Sequence, residues 1–377
     1  MTPDKPLRIA LVHDFLIRYG GAERVLSAMH SLFPSAPIYT LFADKKIARE
    51  RFADADVRAS WLQRLPLFAH RHYKYLAPLL ISATEQFDFH DFDIVISSSA
   101  SFTKGIITSP HTVHIWYCHT PTRFLWDFTQ QYAAQTQGFA GGIGRIALHL
   151  LRTWDFEAAQ RPDYIIANSN AVRARVQKFY RRDAQVIYPP VTAPRNNLLN
   201  EVDVRRGEYF LIVSYLQKYK NVDIAVEAFS KIGLPLVVIG DGPEREYLRG
   251  IAGNSITFLG AQSDAVVHEY LKECKAFVFP SDDDFGIAPV EAMLYGKPVI
   301  ALRRGGVQES VMEGVHGEFF DDPDSAVLAD AVRRLNKNYQ NYDPEIIRRR
   351  AELFSQERFA QELRRFLRDI LASKMEK

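Results

Sequence analysis

The sequence predicts an α/β protein of two Rossmann-like domains, each a doubly wound parallel sheet, with helices at the C-terminus. Three observations support this prediction. The chain has 377 residues, more than one ordinary domain of roughly 100–200 residues. In both halves, short β-branched runs alternate with longer helical patterns, which is typical of strands joined by helical crossovers. Residues 186–200 are rich in proline and asparagine and predict a linker between the halves.

The predicted strands are short apolar runs that occur in both halves. In the first half they are Arg8–Val12, Ile94–Ser97, Thr112–Tyr117 and Tyr164–Asn168. In the second half they are Tyr209–Val213, Leu236–Ile239, Ile256–Leu259, Ala276–Phe279 and Pro298–Ala301. The charged tail from Pro344 has a helical period and predicts one or two terminal helices. We therefore expect domains at 1–190 and 191–355, with a final helix at 356–377 that returns toward the first domain.

The composition is that of a globular protein, with 47% hydrophobic and 24% charged residues. The net charge of +2 argues against a dedicated nucleic-acid-binding protein, which would carry a concentrated basic excess. Residues 1–190 contain 22 Lys and Arg against 16 Asp and Glu, a charge of +6, and the remainder carries −4. A basic first half fits a domain that meets an anionic surface or substrate.

Cysteine use and hydropathy predict a cytoplasmic location. Cys118 and Cys274 lie far apart and show neither metal-ligand nor disulfide spacing, which favours a reducing compartment. The N-terminal apolar run is interrupted by Asp14 and lacks a small-residue cleavage site, so we interpret it as a first strand rather than a signal peptide. The sequence contains no run of 18 or more apolar residues, so any membrane contact is expected to be peripheral.

Two segments of the first half place candidate binding groups where a predicted strand ends. Gly20 and Gly21 precede a helix predicted near Ala22, where a phosphate or sugar can approach backbone N–H groups; the alternative is a tight turn that binds nothing. His119 follows the strand in IWYCHTPTRFLWD, at the edge where open α/β sheets bind ligands. A structural histidine is the alternative, but the surrounding hydrogen-bonding side chains, including Arg123, favour a ligand site.

The block Val278–Gly306 carries the most specific pattern. A predicted strand is followed by three aspartates at 282–284 and then by a helix that carries Glu291, whose carboxylate suits sugar hydroxyls. The alternative interpretation of the three aspartates is a solvated loop that also provides the N-cap of the helix. A metal site is disfavoured, because three adjacent carboxylates cannot all point at one ion and no histidine is near. The candidate phosphate-binding N–H groups at the helix start are those of Gly286, Ile287 and Ala288.

A fourth segment places two lysines, Lys218 and Lys220, in a turn after the strand Tyr209–Val213. Their ammonium groups would neutralise the negative charge of a diphosphate. For either lysine taken alone, a solvent-facing role is the alternative interpretation.

Together these segments resemble the retaining glycosyltransferases of family 4, which share the two-domain GT-B architecture with a central cleft. The resemblance runs through nearly the whole chain, in the order GGAERV, HTPTRFLWD, YPPV, KYKNVDIAVEAF, VIGDGPEREYL and FGIAPVEAM, followed by GKPVIA and GG. It is strongest to bacterial members that build O-antigens, capsules and exopolysaccharides, many of them mannosyltransferases. It implies a nucleotide-sugar donor, with GDP-mannose expected, a saccharide acceptor, and no metal or other cofactor.

The resemblance also implies roles for single residues. Family members carry two glutamates separated by seven residues, and Asp283 and Glu291 occupy these positions, which implies contacts to the transferred sugar and to the donor ribose. His119 matches the family histidine near the reacting carbon. Gly20 and Gly21 match the loop near the diphosphate. The shorter Asp283 changes the reach by about one methylene, so sugar selection is expected to differ.

The chain departs from the family at Tyr215, which replaces the usual arginine, whereas Lys220 keeps the family lysine. Either Lys218 supplies the missing cation or the enzyme is slow or inactive, because tyrosine cannot replace bidentate phosphate recognition. The alternatives to a GDP-mannose transferase are a UDP-sugar-dependent transferase of the same family, a nucleotide-sugar epimerase, and a GT-B scaffold without chemistry. A dehydrogenase is disfavoured, because no G-x-G-x-x-G follows the first strand.

The segment Trp61–Leu80 predicts a contact with the inner face of the cytoplasmic membrane, where the acceptor would be lipid-linked. Arg64, Arg71 and Lys74 interleave with aromatic and leucine side chains. Cations attract anionic headgroups while the apolar groups enter the interface. Packing of the apolar residues on the domain core is the alternative.

Overall fold

The chain forms two compact units. A computed structural model describes residues 7–65, 76–127, 139–192 and 207–375. The first unit is Met1–Tyr188 together with Ala360–Lys377, and the second is Pro189–Phe359. Each unit is built on one parallel sheet whose strands alternate with helices, which confirms the predicted fold class.

The sheet of the first unit has seven strands. They are β1 (Ile9–Leu16), β2 (Ile38–Ala43), β3 (Val57–Ala59), β4 (Ile94–Ser99), β5 (Val113–Cys118), β6 (Tyr164–Ala167) and β7 (Gln185–Val186). Their order across the sheet is β3-β2-β1-β4-β5-β6-β7, and all neighbouring pairs are parallel. Every residue of β4 and β5 is buried, as expected for central strands of a sheet covered on both faces.

The helices described in the first half of the chain follow these strands. They are α1 (Gly21–Leu32), α2 (Lys45–Arg51), α3 (Ala77–Glu85), α4 (Arg123–Trp126), α5 (Phe139–Ala158) and α6 (Asn170–Tyr180). α6 begins where the Ser169 side chain accepts the Val172 N–H, an ordinary N-cap. Short 3-10 turns lie at Trp61–Arg64 and Thr103–Gly105.

The sheet of the second unit has six parallel strands. They are β8 (Phe210–Val213), β9 (Leu236–Ile239), β10 (Ile256–Gly260), β11 (Ala276–Phe279), β12 (Val299–Leu302) and β13 (Gly317–Phe320). Their order is β10-β9-β8-β11-β12-β13, so the chain reverses its direction of winding between β8 and β11. Ligands of such sheets bind at that switch point, outside the carboxyl ends of the strands.

The remaining helices complete the second unit and the C-terminus. They are α7 (Val222–Ile232), α8 (Arg245–Ile251), α9 (Asp264–Glu273), α10 (Ile287–Leu294), α11 (Val307–Ser310), α12 (Ser325–Lys337), α13 (Pro344–Glu352) and α14 (Gln356–Met375). The last helix packs on the first unit, where the Phe366 and Tyr164 rings lie 6.1 Å apart. Among the helices that the structure describes, none has the length and hydropathy needed to span a bilayer.

Four observed strands are absent from the sequence prediction. β3 and β7 have three and two residues and are partly exposed at the sheet edges, so they show no apolar pattern. β13 is buried, but it begins with Gly317 and Glu318, which interrupt the apolar pattern. β2 is a continuous buried run, which periodicity alone cannot distinguish from a buried helix. β1 also extends to Leu16, four residues beyond its predicted end at Val12, because the polar His13 and Asp14 find buried partners there.

Candidate active site

The carboxyl ends of β1, β4 and β5 bring three polar side chains together in the first unit. These strands are neighbours, so residues at their carboxyl ends lie side by side. His13 on β1 pairs in register with Ser98 on β4, and His119 directly follows β5. All three residues are buried. The predicted His119 therefore belongs to a group of polar residues.

His13 is held from two sides. Its Nδ1 atom lies 2.8 Å from the Ser98 carbonyl oxygen and 3.3 Å from Ser98 Oγ. Its Nε2 atom lies 3.5 Å from Glu23 Oε1, and the other oxygen of that carboxylate accepts the Gly20 N–H at 2.8 Å. Glu23, in the first turn of α1, thus connects the glycine turn to the histidine.

Ser98 connects His13 to His119. The Ser98 hydroxyl lies 2.7 Å from Nε2 of His119, and the two histidine rings are 6.3 Å apart, edge to face. The backbone carbonyl of His119 accepts a hydrogen bond from Asn168 Nδ2 at 2.9 Å. Glu23, His13, Ser98 and His119 are called the histidine network below.

Glu23 and His13 stabilise each other's charged form. Burial by itself would lower the pKa of His13, but the hydrogen bond and charge of Glu23, together with Asp14, outweigh it and raise that pKa. Burial would likewise raise the pKa of Glu23, but His13 and the hydrogen bonds lower it. Both pKa shifts favour an ion pair between these two buried side chains, whose nearest atoms lie 3.5 Å apart.

Asp14 organises the loop after β4. Its carboxylate accepts hydrogen bonds of 2.7–3.1 Å from four backbone N–H groups and two hydroxyls. Burial favours the neutral acid, but these hydrogen bonds and the nearby His13 outweigh it, so the pKa of Asp14 is lowered. The donors are the N–H groups of Ala100, Ser101, Phe102 and Thr103 and the hydroxyls of Ser99 and Thr103.

Polar side chains of the HTPTRFLWD segment have partners inside the first unit. Thr122 Oγ1 and Trp126 Nε1 donate to Asp155 at 2.6 and 2.8 Å. Asp155 also forms a fully buried ion pair with Lys104 at 2.5 Å. The sequence pattern predicts a ligand site from the many hydrogen-bonding groups of this segment. Some of these groups instead bind the Lys104–Asp155 ion pair, which anchors the loop after β5.

In the second unit, the predicted cation Lys220 contacts the predicted sugar-binding carboxylate Asp283. Lys220 Nζ lies 2.7 and 2.6 Å from the two oxygens of Asp283. Lys220 ends a 3-10 turn after β8, and Asp283 follows β11, the neighbouring strand at the switch point. The two side chains are 16% and 20% exposed, so a ligand can reach an ion pair that is mostly shielded from water.

Two glycines allow the loop of Asp283 to approach the chain after β12. The Gly306 N–H donates to the Asp283 carbonyl oxygen at 3.0 Å. A Cβ atom at Gly305 would stand 2.1 Å from that oxygen, and one at Gly306 would stand 2.2 Å from the Asp284 carbonyl oxygen. The GG pair of the sequence is therefore required for this close backbone contact.

The helix that carries Glu291 begins at a left-handed glycine. Gly286 is the N-cap of α10 with φ +84°, a conformation that favours glycine over any other residue. Ile287 and Ala288 form the first turn, and Glu291 is buried one turn further along. Backbone N–H groups at such a helix start attract anions, as the sequence pattern predicts.

Lys218 and Tyr215 lie at the surface of the second unit. Lys218 Nζ forms an ion pair with Asp223 Oδ2 at 2.5 Å, and this hydrogen bond raises the pKa of the lysine. The lysine side chain is 69% exposed. Tyr215, at the position of the family arginine, is also exposed. The amine of Lys218 is thus directed to α7.

The four residues predicted to face an acceptor or a membrane divide into two pairs. Arg64 ends the 3-10 turn after β3 and is exposed, whereas Arg123 begins α4 and is half-buried. Arg71 and Lys74 lie outside the described residues.

The sequence patterns do not single out His13, Glu23 or Ser98. One local signal points to Glu23: it lies three residues after Gly20, the position from which a capping-box glutamate reaches back to the N-cap N–H. His13 and Ser98 have no comparable signal, because only the order of strands in the sheet brings them together.

Comparisons with known proteins agree with this architecture. Residues 19–195 match the family model described as Glycosyltransferase Family 4, and residues 200–352 match the model described as Glycosyl transferases group 1. The chain is 24% identical over 444 residues to the alpha-1,3/1,6-mannosyltransferase ALG2 of Candida glabrata, an alignment that covers 96% of this chain and 93% of that protein.

Solved structures share the fold along the whole chain. A sucrose-phosphate synthase from Thermosynechococcus elongatus aligns with a TM-score of 0.72 and 17% identity, over 98% of this chain and 100% of that chain. The Anabaena protein Alr3699/HepE, solved in complex with UDP and glucose, aligns with a TM-score of 0.69 and 19% identity, over 96% and 99%. With a matching family model on each of its two sheets, the chain belongs to the family 4 glycosyltransferases of GT-B fold.

Proposed function

We propose that this glycosyltransferase moves mannose from GDP-mannose to a saccharide acceptor with retention of anomeric configuration. The observation that carries the proposal is the ion pair between Lys220 and Asp283. Asp283 lies three residues before Gly286, the N-cap of the helix that carries Glu291. A cation and the N–H groups at a helix start suit a diphosphate, and a buried carboxylate suits ribose hydroxyls. The mannosyl assignment is supported by similarity to the ALG2 mannosyltransferase along most of the chain.

In this mechanism Lys220 stabilises the departing diphosphate, while His119 and Asp283 orient the sugar. Retention through a covalent enzyme intermediate needs a carboxylate nucleophile. Both oxygens of Asp283 are engaged by Lys220, so this carboxylate is a poor nucleophile and is better suited to bind hydroxyls. A front-face transfer, in which the leaving phosphate assists the acceptor hydroxyl, fits these constraints.

The reaction is proposed to need no metal ion. Asp283, the carboxylate predicted to contact the transferred sugar, already has a cationic partner in Lys220. A lysine ammonium at this position performs the electrostatic task that a divalent ion would otherwise have. Full transfer activity in the presence of a chelator is the expected result.

A panel of GDP- and UDP-sugars tests the proposal. Release of GDP from GDP-mannose, dependent on an added saccharide acceptor, is the expected result. Turnover of a UDP-sugar but not of GDP-mannose would favour a UDP-sugar-dependent transferase of the same family. Interconversion of the donor without acceptor would indicate an epimerase. Donor binding in thermal shift without any turnover would instead support a scaffold that has lost its chemistry.

Glu291→Ala is expected to weaken binding of the donor by about 1–3 kcal/mol, because it removes hydrogen bonds to a buried ribose. Isothermal titration calorimetry with GDP measures this change. Glu273→Ala provides a control at the end of the neighbouring helix α9. Unchanged GDP affinity in the Glu291 variant would contradict the ribose assignment.

The enzyme is further proposed to work on a lipid-linked acceptor at the inner face of the cytoplasmic membrane, in bacterial surface polysaccharide synthesis. Large apolar side chains are exposed on the elements that surround one core cluster of the first unit. Ile146 and Leu150, one turn apart on α5, are each 63% exposed. Trp61 and Leu79, at the ends of the Trp61–Leu80 segment, are also exposed. Such side chains enter a lipid interface when neighbouring cations attract it.

Flotation with anionic and neutral vesicles tests this association. We expect binding that requires anionic lipid, falls as salt rises, and is lost when Arg64, Arg71 and Lys74 are changed to Glu. The matched control reverses three exposed cations of the second unit, Arg249, Arg333 and Lys337, and is expected to bind like the wild type. Absence of binding to anionic vesicles at low salt would favour a soluble acceptor.

A further inference from the structure

The contacts of His13 define where its protons lie. A backbone carbonyl only accepts hydrogen bonds, so Nδ1 of His13, 2.8 Å from the Ser98 carbonyl oxygen, carries a proton. Nε2 of His13 faces the Glu23 carboxylate at 3.5 Å, and an ionised carboxylate is also only an acceptor. Acceptors on both sides favour a doubly protonated His13 that pairs with Glu23.

The Ser98 hydroxyl then has one available acceptor. Among the described residues, Ser98 Oγ lies near two ring nitrogens, Nδ1 of His13 at 3.3 Å and Nε2 of His119 at 2.7 Å. Because Nδ1 of His13 is protonated, the hydroxyl proton points to Nε2 of His119. Nε2 of His119 is therefore unprotonated, and a neutral ring in that state carries its proton on Nδ1.

We propose that Glu23, His13 and Ser98 are positioning residues that hold His119 as the neutral Nδ1–H tautomer, a role that rests on the glycosyl transfer proposed above. Such transfer passes through a positively charged, oxocarbenium-like transition state. A protonated His119 near the reacting carbon would raise the energy of that state by like-charge repulsion. A neutral ring avoids this repulsion, because it adds no positive charge beside the developing cation.

Two rings that carry ionisable groups lie beside His119. The His13 ring lies 6.3 Å away, and the Tyr117 ring on β5 lies 5.2 Å away. Glu23, which contacts His13, and Asp14, which adjoins His13 in sequence, are themselves engaged, Glu23 by His13 and Asp14 by the loop after β4. The hydrogen bond that the Ser98 hydroxyl donates to Nε2 of His119 occupies the lone pair that a second proton would need.

Nitrogen NMR of the full chain, labelled in its histidine imidazoles, tests these proton positions without any substrate. The chain has 11 histidines, and His13→Gln and His119→Gln assign the two sets of signals. We expect two protonated nitrogens on His13 at neutral pH, and on His119 a protonated Nδ1 with an unprotonated Nε2. Glu23→Gln is expected to remove one proton from His13. A proton on Nε2 of wild-type His119 would overturn the proposal.

Ser98→Ala and Ser97→Ala form a matched pair of variants. Ser97 is the preceding residue on β4, is equally buried, and has its hydroxyl 2.8 Å from Nε2 of His114. Ser98→Ala is expected to let His119 accept a proton on Nε2, whereas Ser97→Ala leaves the His119 signals unchanged. Ser98→Thr, which retains a hydroxyl, is expected to restore the wild-type tautomer. Unchanged His119 signals in a folded Ser98→Ala variant would contradict the positioning role.

Steady-state kinetics of the Ser98 variants test the effect on catalysis, with the donor that is turned over in the panel of GDP- and UDP-sugars. Ser98→Ala is expected to lower kcat about tenfold with little change in KM, and to move the acid limb of the kcat profile to higher pH, because the Ser98 hydroxyl then no longer occupies the Nε2 lone pair of His119. Ser98→Thr should restore both quantities. An acid limb that does not move would overturn the catalytic consequence. If no donor is turned over, the proposed function fails, and the NMR result still decides the proton positions.

Discussion

Asp14→Ala is expected to lower the free energy of unfolding of the first unit by about 4 kcal/mol, with a fall of about 10 °C in the midpoint of thermal unfolding. The substitution leaves four backbone N–H groups and two hydroxyls in the loop after β4 without their acceptor. Each unsatisfied buried group has a desolvation cost. Scanning calorimetry of the full chain measures the change.

Asp91→Ala is the control for this prediction. Its carboxylate is 86% exposed and its ion pair with Arg8, at 3.5 Å, lies at the surface. Surface pairs of this kind stabilise by about 1 kcal/mol or less, so the unfolding midpoint is expected to change little. Equal destabilisation by the two substitutions would show that the buried carboxylate has no special structural role.

The carboxylate of Asp14 makes the stability of the folded chain depend on pH in a defined direction. The pKa of Asp14 in the folded chain lies below its ordinary value of 3.8, so its contribution to stability is present above that value. The contribution is lost as the pH falls through the folded pKa, where the native state also takes up the proton. The stability difference between wild type and Asp14→Asn is therefore expected to be present at neutral pH and to shrink in acid.

Lys220→Ala is expected to reduce transfer by about 10²–10³-fold, the typical effect of removing one preorganised electrostatic contact to a developing charge. It also leaves Asp283 without its cation, since both carboxylate oxygens bond to the Lys220 amine. Lys220→Arg keeps the charge and is expected to retain part of the activity. Initial rates with the donor identified in the sugar panel give the measurement.

Lys218→Ala is the matched control, because Lys218 lies in the same 3-10 turn. Its amine is paired with Asp223 and its side chain is 69% exposed, so we expect a loss of less than about tenfold. Comparable losses in both variants would indicate that Lys218 supplies the cation that the family arginine provides elsewhere. Wild-type activity in both would contradict any diphosphate role for this turn.

The local sequence by itself determined most strands of both sheets and the order of the motifs along the chain. Strands and helices produce apolar patterns with periods of 2 and 3.6 residues, which can be recognised from residues close together in the sequence. Glycines that form turns and helix starts are recognised in the same local way. The placement of Lys220 and Asp283 after two predicted strands is of this kind, and the structure finds their side chains in contact. Gly286 opens the helix that carries Glu291 for the same local reason.

Only the tertiary structure decided which polar residues meet. His13, Ser98 and His119 are far apart in sequence and become neighbours through the strand order β1-β4-β5. Asp14 appears in the sequence as an interruption of an apolar run, yet it is the acceptor for a loop that begins 85 residues later. Buried polar groups of this kind are stabilised by long-range hydrogen bonds, which leave no local period in the sequence.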